Sequence, residues 1–110
     1  MGDDILIRSF AALADPVRCE VIEQLGAGPA SAGELAHRTG SSPSSMSRHL
    51  KVLLDAALVA DDRSPTDARV RMFHLRTGSL AATAAWLDQV EAHWRANLDS
   101  FRAHVEKRIS

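Results

Sequence analysis

The 110-residue sequence predicts a mainly α-helical single domain with one small β-hairpin. Three observations support this fold class. Apolar residues recur at three- and four-residue steps in several segments, and a polar residue followed by proline twice marks a helix start. One further segment alternates apolar and polar residues around a polar turn. The composition, 45% apolar and 25% charged, is that of an ordinary globular domain.

Length and composition exclude several classes of protein. No stretch reaches the roughly 18 uninterrupted apolar residues that a membrane span requires, and we expect no secretory leader. A single cysteine, Cys19, excludes a disulfide framework or a cysteine zinc finger within one chain. We therefore expect a cytoplasmic protein without a membrane partner. Cys19 is expected to be a buried, inert thiol.

Two helices are predicted at the start of the chain. The second begins with Asp15 as its N-cap and Pro16 at its first helical position. It ends at the glycine- and proline-rich segment 26–29. The first helix is predicted from apolar residues at helical spacing, namely Ile5, Leu6, Phe10 and Leu13.

A helix-turn-helix is predicted over residues 31–55. Ser31 and Glu34 have the spacing of a capping box at the start of a short helix that ends at Gly40. Ser42-Pro43 then starts another helix after only three intervening residues. Two short helices in this arrangement are typical of DNA-binding proteins.

The rest of the chain predicts a hairpin and one long helix. Residues 58–75 form two strand-like segments around a polar turn at 64–67, and a helix without internal glycine or proline is expected over 79–109. The predicted order is therefore α-α-α-α-β-β-α over a single domain, 1–110. This is the layout of a winged helix-turn-helix, in which 58–75 is the wing.

The helix starting at Pro43 carries the candidate functional site. At 100° per residue, its apolar stripe centres on Leu50, and the opposite face presents hydroxyls and a guanidinium. The net charge is −1, but residues 37–54 contain no acid. Arg48 has the chemistry to donate two hydrogen bonds to a guanine edge. The predicted DNA-binding residues of this helix are Ser42, Ser44, Ser45, Ser47, Arg48, His49 and Lys51.

The hairpin adds a second set of cations. Arg63, Arg69 and Arg71 surround its turn, and we predict that Arg69 and Arg71 contact the DNA backbone or minor groove. Asp61, Asp62 and Asp67 lie in the same hairpin, so not every arginine is expected to touch DNA. For the helix starting at Pro43, an ordinary solvated face on a small helical bundle remains the alternative interpretation.

Four motifs in unbroken order resemble the ArsR/SmtB family of bacterial winged helix-turn-helix repressors. They lie at residues 10–18 (FAALADPVR), 33–36 (GELA), 47–53 (SRHLKVL) and 57–59 (ALV). The long C-terminal segment with its two tryptophans resembles the SdpR-like branch. The resemblance implies a homodimer that binds an operator through the helix at 43–55 and is released by a signal.

The last predicted helix carries one long apolar stripe. Its members fall within about 40° of one line, which exceeds what so small a chain can cover. We predict a two-fold dimer seam formed with the first helix, which would match two binding helices to a palindromic operator. The alternative is that the stripe packs on its own core. The predicted interface residues are Ile5, Leu6, Phe10, Leu87, Val90, Trp94, Leu98, Phe101 and Val105.

Metal sensing is a known property of the family, but the expected ligands are incomplete here. The cysteine pair before the recognition helix is absent. Glu91, His93 and His104 are the candidates for a zinc site on the last helix, where Lys107 occupies the position of the closing carboxylate. We therefore predict neither a metal nor another cofactor.

A dimeric, sequence-specific DNA-binding repressor is the leading interpretation of the sequence. No phosphate-binding glycine loop or nucleophile motif indicates an enzyme. The alternatives are a winged-helix dimer that acts as a protein-interaction module, and a metal-responsive repressor that uses His93 and His104. The inducing signal and any small-molecule effector are not predicted.

Overall fold

The computed structural model describes the backbone of residues 2–109 and the side chains of residues 6–109. The chain divides into two compact units, one ending at Leu80 and one beginning at Ala81. The elements are α1 (Gly2–Leu13), α2 (Pro16–Gly26), β1 (Ala30–Ser31), α3 (Ala32–Thr39), α4 (Pro43–Asp55), β2 (Val59–Arg63), β3 (Arg71–Leu75) and α5 (Thr77–Ile109).

The predicted helix starts are confirmed by their capping hydrogen bonds. The Asp15 carboxylate accepts from the backbone N–H groups of Val17 and Arg18 at the start of α2. Ser31 and Glu34 form the reciprocal capping box of α3. Short polar side chains at these positions satisfy N–H groups that have no partner within the helix.

The turn between α3 and α4 is set by two residues. Gly40 has a left-handed conformation with φ of 67°, which a residue with a Cβ adopts only with strain. Ser42 then caps α4, its Oγ accepting from the backbone N–H of Ser45 at 3.1 Å. This short connection fixes the angle at which α4 leaves α3.

The predicted hairpin is confirmed, but its sheet has a third strand. β2 and β3 pair antiparallel from Val59 opposite Leu75 to Arg63 opposite Arg71. β1 lies on the other side of β3, and the observed order is α-α-β-α-α-β-β-α. The predicted order of four consecutive helices is therefore wrong at β1, because two residues are too few to show an alternating pattern.

The core of the first unit determines which face of α4 is open. Met46, Leu50 and Leu53 are fully or almost fully buried. They pack in one cluster with side chains from α2, α3 and the sheet, including Leu35 and Phe73. Because these apolar residues fix the rotation of α4 about its axis, its serines and Arg48 lie on the outside.

The final helix is long and mostly exposed. α5 has 33 residues and begins two residues before the predicted start. Beyond Ala81, Thr83 is its buried residue. No helix within residues 2–109 combines the length and apolar character needed to cross a membrane.

Candidate nucleic-acid interface

The outward face of α4 is polar and begins at its N-terminus. Ser44, Ser47 and Arg48 are exposed, and Ser45 is half-buried. The Arg48 Nη2 atom donates to Ser45 Oγ at 3.3 Å. Ser42, the cap of the helix, has its Oγ 3.3 Å from that of Ser44. This face therefore combines hydroxyl groups and one guanidinium at the positive end of the helix dipole.

The two cations of α4 have different surroundings. The Lys51 Nζ atom lies 3.7 Å from the Asp55 carboxylate one turn later. No carboxylate of the described residues lies within ion-pair distance of the Arg48 guanidinium. Arg48 is thus available to an external acceptor without first losing an ion pair of this kind.

His49 does not lie on the open face with Arg48. Its imidazole is about 19% exposed and is directed towards the start of α2. The Nδ1 atom lies 3.1 Å from Arg18 Nη1 and 4.0 Å from Asp15 Oδ1. This side of α4 therefore packs against the α1–α2 junction.

Two of the wing arginines, Arg69 and Arg71, are each paired with a wing carboxylate. Arg69 donates from Nε and Nη2 to the two oxygens of Asp67, at 3.2 and 3.3 Å. The hydrogen bonds from Arg69 hold the pKa of the Asp67 carboxyl below its ordinary value. Arg71 donates from Nε to Asp61 at 2.7 Å and lies 5.1 Å above the Phe73 ring. The sequence showed acids in the hairpin but not these pairings.

A cleft brings residues of α4 and the wing together. Its volume is about 660 Å³, and its apolar lining includes Leu50 and Phe73. The N-terminal serines of α4 do not line it. The predicted DNA-binding residues that meet at the cleft are Ser47, Lys51, Arg69 and Arg71.

Much of the predicted dimer stripe is exposed on α5. Trp94 and Leu98 are each 60% exposed and Phe101 is 67% exposed, and Leu87 is also exposed. Val90 and Val105 are half-buried. Large apolar side chains grouped on one exposed helix indicate a surface that another molecule covers.

The α1 part of the predicted interface is less exposed. Leu6 and Phe10 are half-buried, whereas Ile7, which was not predicted, is 64% exposed. The side chain of Ile5 lies outside the described residues.

The candidate metal ligands do not converge. Within the described part of the chain, no three histidine, cysteine or acidic side chains have an arrangement that could hold a metal ion. The His93 Nε2 atom instead lies 3.2 Å from Asn97 Nδ2. Glu91 pairs with Arg95 at 2.7 Å, and His104 is exposed.

The prediction that Cys19 is buried is wrong. Its side chain is exposed, and Sγ donates to the Leu13 carbonyl oxygen at 2.9 Å. Val21 and Leu25 provide the buried face of α2. Because Cys19 lies about 160° from Val21 around the helix, it falls on the opposite side.

Comparisons with known proteins agree with this arrangement. Residues 13–62 match a family described as a helix-turn-helix domain. The chain is 42% identical over 82 residues to the HTH-type transcriptional regulator Rv2034 of Mycobacterium tuberculosis, with 74% of each chain covered. It is 30% identical over 78 residues to the transcriptional repressor SdpR of Bacillus subtilis, covering 71% of this chain and 83% of the relative.

Solved structures share the fold. An ArsR-like transcriptional regulator from Rhodococcus sp. RHA1 superposes with a TM-score of 0.76 at 30% identity, over 89% of this chain and 90% of that one. The winged helix-turn-helix domain Mb0332 of Mycobacterium bovis, a homodimer and possible ArsR-family regulator, gives 0.63 at 26% identity, over 84% and 82%. With its capped helix-turn-helix, paired wing and these relatives, the chain belongs to the ArsR family of winged helix-turn-helix regulators, which bind DNA and control transcription.

Proposed function

We propose that this protein is a homodimeric repressor that binds a palindromic operator, with α4 in the major groove. The observation that carries the proposal is the outward face of α4. Ser44, Ser47 and Arg48 are exposed there, on a helix whose opposite side is anchored in the core. The site of action would be the cytoplasm, where a bacterial operator lies.

Base recognition is assigned chiefly to Arg48. A guanidinium matches the two acceptors of a guanine edge, which the major groove presents. The hydroxyls of Ser44 and Ser45 are suited to bases or phosphates, and the N-terminus of α4 presents the positive end of the helix dipole to the DNA backbone. Base contacts then supply specificity and phosphate contacts supply position.

Backbone binding is assigned to the cleft between α4 and the wing. Ser47, Lys51, Arg69 and Arg71 line this cleft, and cations of this kind bind phosphate strongly. The arginines would exchange their wing carboxylates for phosphates on binding. Because exposed ion pairs are worth only about 0–1 kcal/mol, this exchange costs little.

Dimerisation is assigned to the apolar stripe of α5 together with α1. The stripe leaves Trp94, Leu98 and Phe101 largely exposed in a single chain. The relative Mb0332 is a homodimer with this fold. A two-fold dimer would present two α4 helices about one DNA turn apart, roughly 34 Å, and so recognise an inverted repeat.

Selection of bound duplexes from a random-sequence pool tests the proposal. We expect the recovered DNA to share an inverted repeat with half-sites about one turn apart. Placed between a promoter and a reporter gene, this repeat should lower expression when the protein is present. Recovered DNA without a common repeat, or a reporter that the protein does not repress, would refute the proposal.

A further inference from the structure

A polar cluster joins three helices, α1, α2 and the middle of α4. Its centre is the Arg18 guanidinium, which is only 17% exposed. Nε donates to the Ala12 carbonyl oxygen in the last turn of α1, at 2.6 Å. Nη1 lies 3.1 Å from the Nδ1 atom of His49, on α4. Asp15, which caps α2, lies 4.0 Å from both side chains.

The chemistry of the cluster requires an acceptor on His49. Arginine has donors only, so the short contact with Arg18 makes His49 Nδ1 the acceptor and places the imidazole proton on Nε2. The planar fork of arginine allows Nε and Nη1 to bind different partners at fixed angles. One side chain thus ties the end of α1 to the middle of α4.

We infer that Arg18 and His49 are positioning residues for DNA binding: in addition to the core contacts that set the rotation of α4, their hydrogen bond holds the middle of this helix in place against the α1–α2 junction. The inference rests on the proposed function of α4. It replaces the predicted DNA contact of His49 with a role inside the protein. Arg48 immediately precedes His49 in the chain, so a small movement of His49 would displace the Arg48 guanidinium from a bidentate position.

Two isosteric replacements of His49 distinguish positioning from contact. An asparagine side chain places its amide oxygen near the position of Nδ1, whereas a glutamine places its amide near Nε2. If His49 positions α4, we expect His49→Asn to bind the selected duplex within about twofold of wild type. His49→Gln and His49→Ala should lose about tenfold, which corresponds to one hydrogen bond.

A direct DNA contact through Nε2 predicts the reverse order. In that case His49→Gln would retain binding, and His49→Asn would lose it. Equal losses in both variants would also overturn the positioning role. A wild-type protein that selects no duplex would refute the proposed function itself, so the two failures are distinguishable.

The salt dependence of Arg18 variants provides a second readout. Arg18→Gln should weaken binding to the selected duplex about tenfold while leaving the slope of log affinity against log salt unchanged. The matched control is Lys51→Ala, which should reduce that slope by about 0.9 because a phosphate contact is lost. A reduced slope in Arg18→Gln would show that Arg18 touches DNA and overturn the inference. Arg18→Lys, which keeps the charge but lacks the fork, should behave as Arg18→Gln.

Discussion

Arg71 and Asp61 form an ion pair across the wing, with Nε 2.7 Å from the carboxylate oxygen. Arg69 is held in a comparable way by Asp67, two residues earlier in the chain. Both arginines were predicted to contact DNA, and both already have an anionic partner. In the proposed DNA complex, the acids of the wing would therefore compete with phosphate for the same guanidinium groups.

Removing this competition should strengthen DNA binding. We expect Asp61→Asn and Asp67→Asn each to increase affinity for the selected duplex about twofold to fivefold, the worth of an exposed ion pair. Binding should be measured by fluorescence anisotropy at several salt concentrations. Asp62→Asn is the matched control, because Asp62 faces His74 at 3.6 Å rather than an arginine. An equal gain in the control would mean that net charge alone sets the effect.

Loss of the Arg48 side chain should weaken and broaden recognition. We expect Arg48→Ala to cost about 1–3 kcal/mol in binding and to relax the preference at one base pair per half-site. Repeating the duplex selection with the variant measures both effects. Arg95→Ala, which removes an exposed arginine of α5, should change neither. A uniform loss at every sequence would instead identify Arg48 as a phosphate contact.

Truncation of the α5 stripe should separate the subunits. Trp94 and Phe101 have large exposed apolar surfaces, and such side chains dominate interface energies. We expect Trp94→Ala to shift the protein towards the monomer in sedimentation experiments at micromolar concentration. Operator binding should also weaken, although Trp94 itself is not expected to contact DNA. Ile109→Ala, at an exposed position outside the predicted stripe, is the control. An intact Trp94→Ala dimer would exclude this part of the interface.

Acid should destabilise the protein partly through Asp15. Hydrogen bonds from the backbone N–H groups of Arg18 and Val17, with a smaller contribution from the charge of Arg18, lower the pKa of Asp15. This stabilisation is complete above the ordinary aspartate pKa of about 3.9 and is lost as the pH falls through the lower, folded value.

Asp15→Asn isolates this dependence, because asparagine remains a good N-cap but carries no titratable group. Between pH 5 and 3, its free energy of unfolding in urea should fall less than that of wild type. Asp99→Asn is the control, since the Asp99 carboxylate has no ion pair or hydrogen bond with the described residues. A variant that follows the wild-type curve would rule out Asp15 as a source of acid sensitivity.

Local chemistry was predictable from the sequence because it depends on neighbouring residues. The caps at Asp15, Ser31 and Ser42 act within three residues, and the structure has each of them. The core face of α4 followed from a period of 3.6 residues. Pairing between distant segments was not predictable in this way. His49 meets Arg18 from 31 residues away, and no pattern along the chain announces that contact.

The same reasoning explains why the sequence did not predict strand β1 or the ion pairs of the wing. β1 exists only because Ala30 and Ser31 lie beside β3, which is a property of the folded chain. The partner of Arg71 lies ten residues away, across the sheet rather than along a strand. The exposure of residues such as Arg48 and Arg71 was predictable from residue type and face, whereas a charge partner such as Asp61 required coordinates.

The two-residue strand β1 has a mechanical consequence. Ser31 is paired with Met72 in the sheet and is also the residue from which α3 starts. β1 therefore connects the sheet directly to α3, without an intervening loop. A force that a bound duplex exerts on β3 would therefore act directly on α3 and, through the turn at Gly40, on α4. If α4 and the wing bind DNA as proposed, we expect them to move together as one rigid unit.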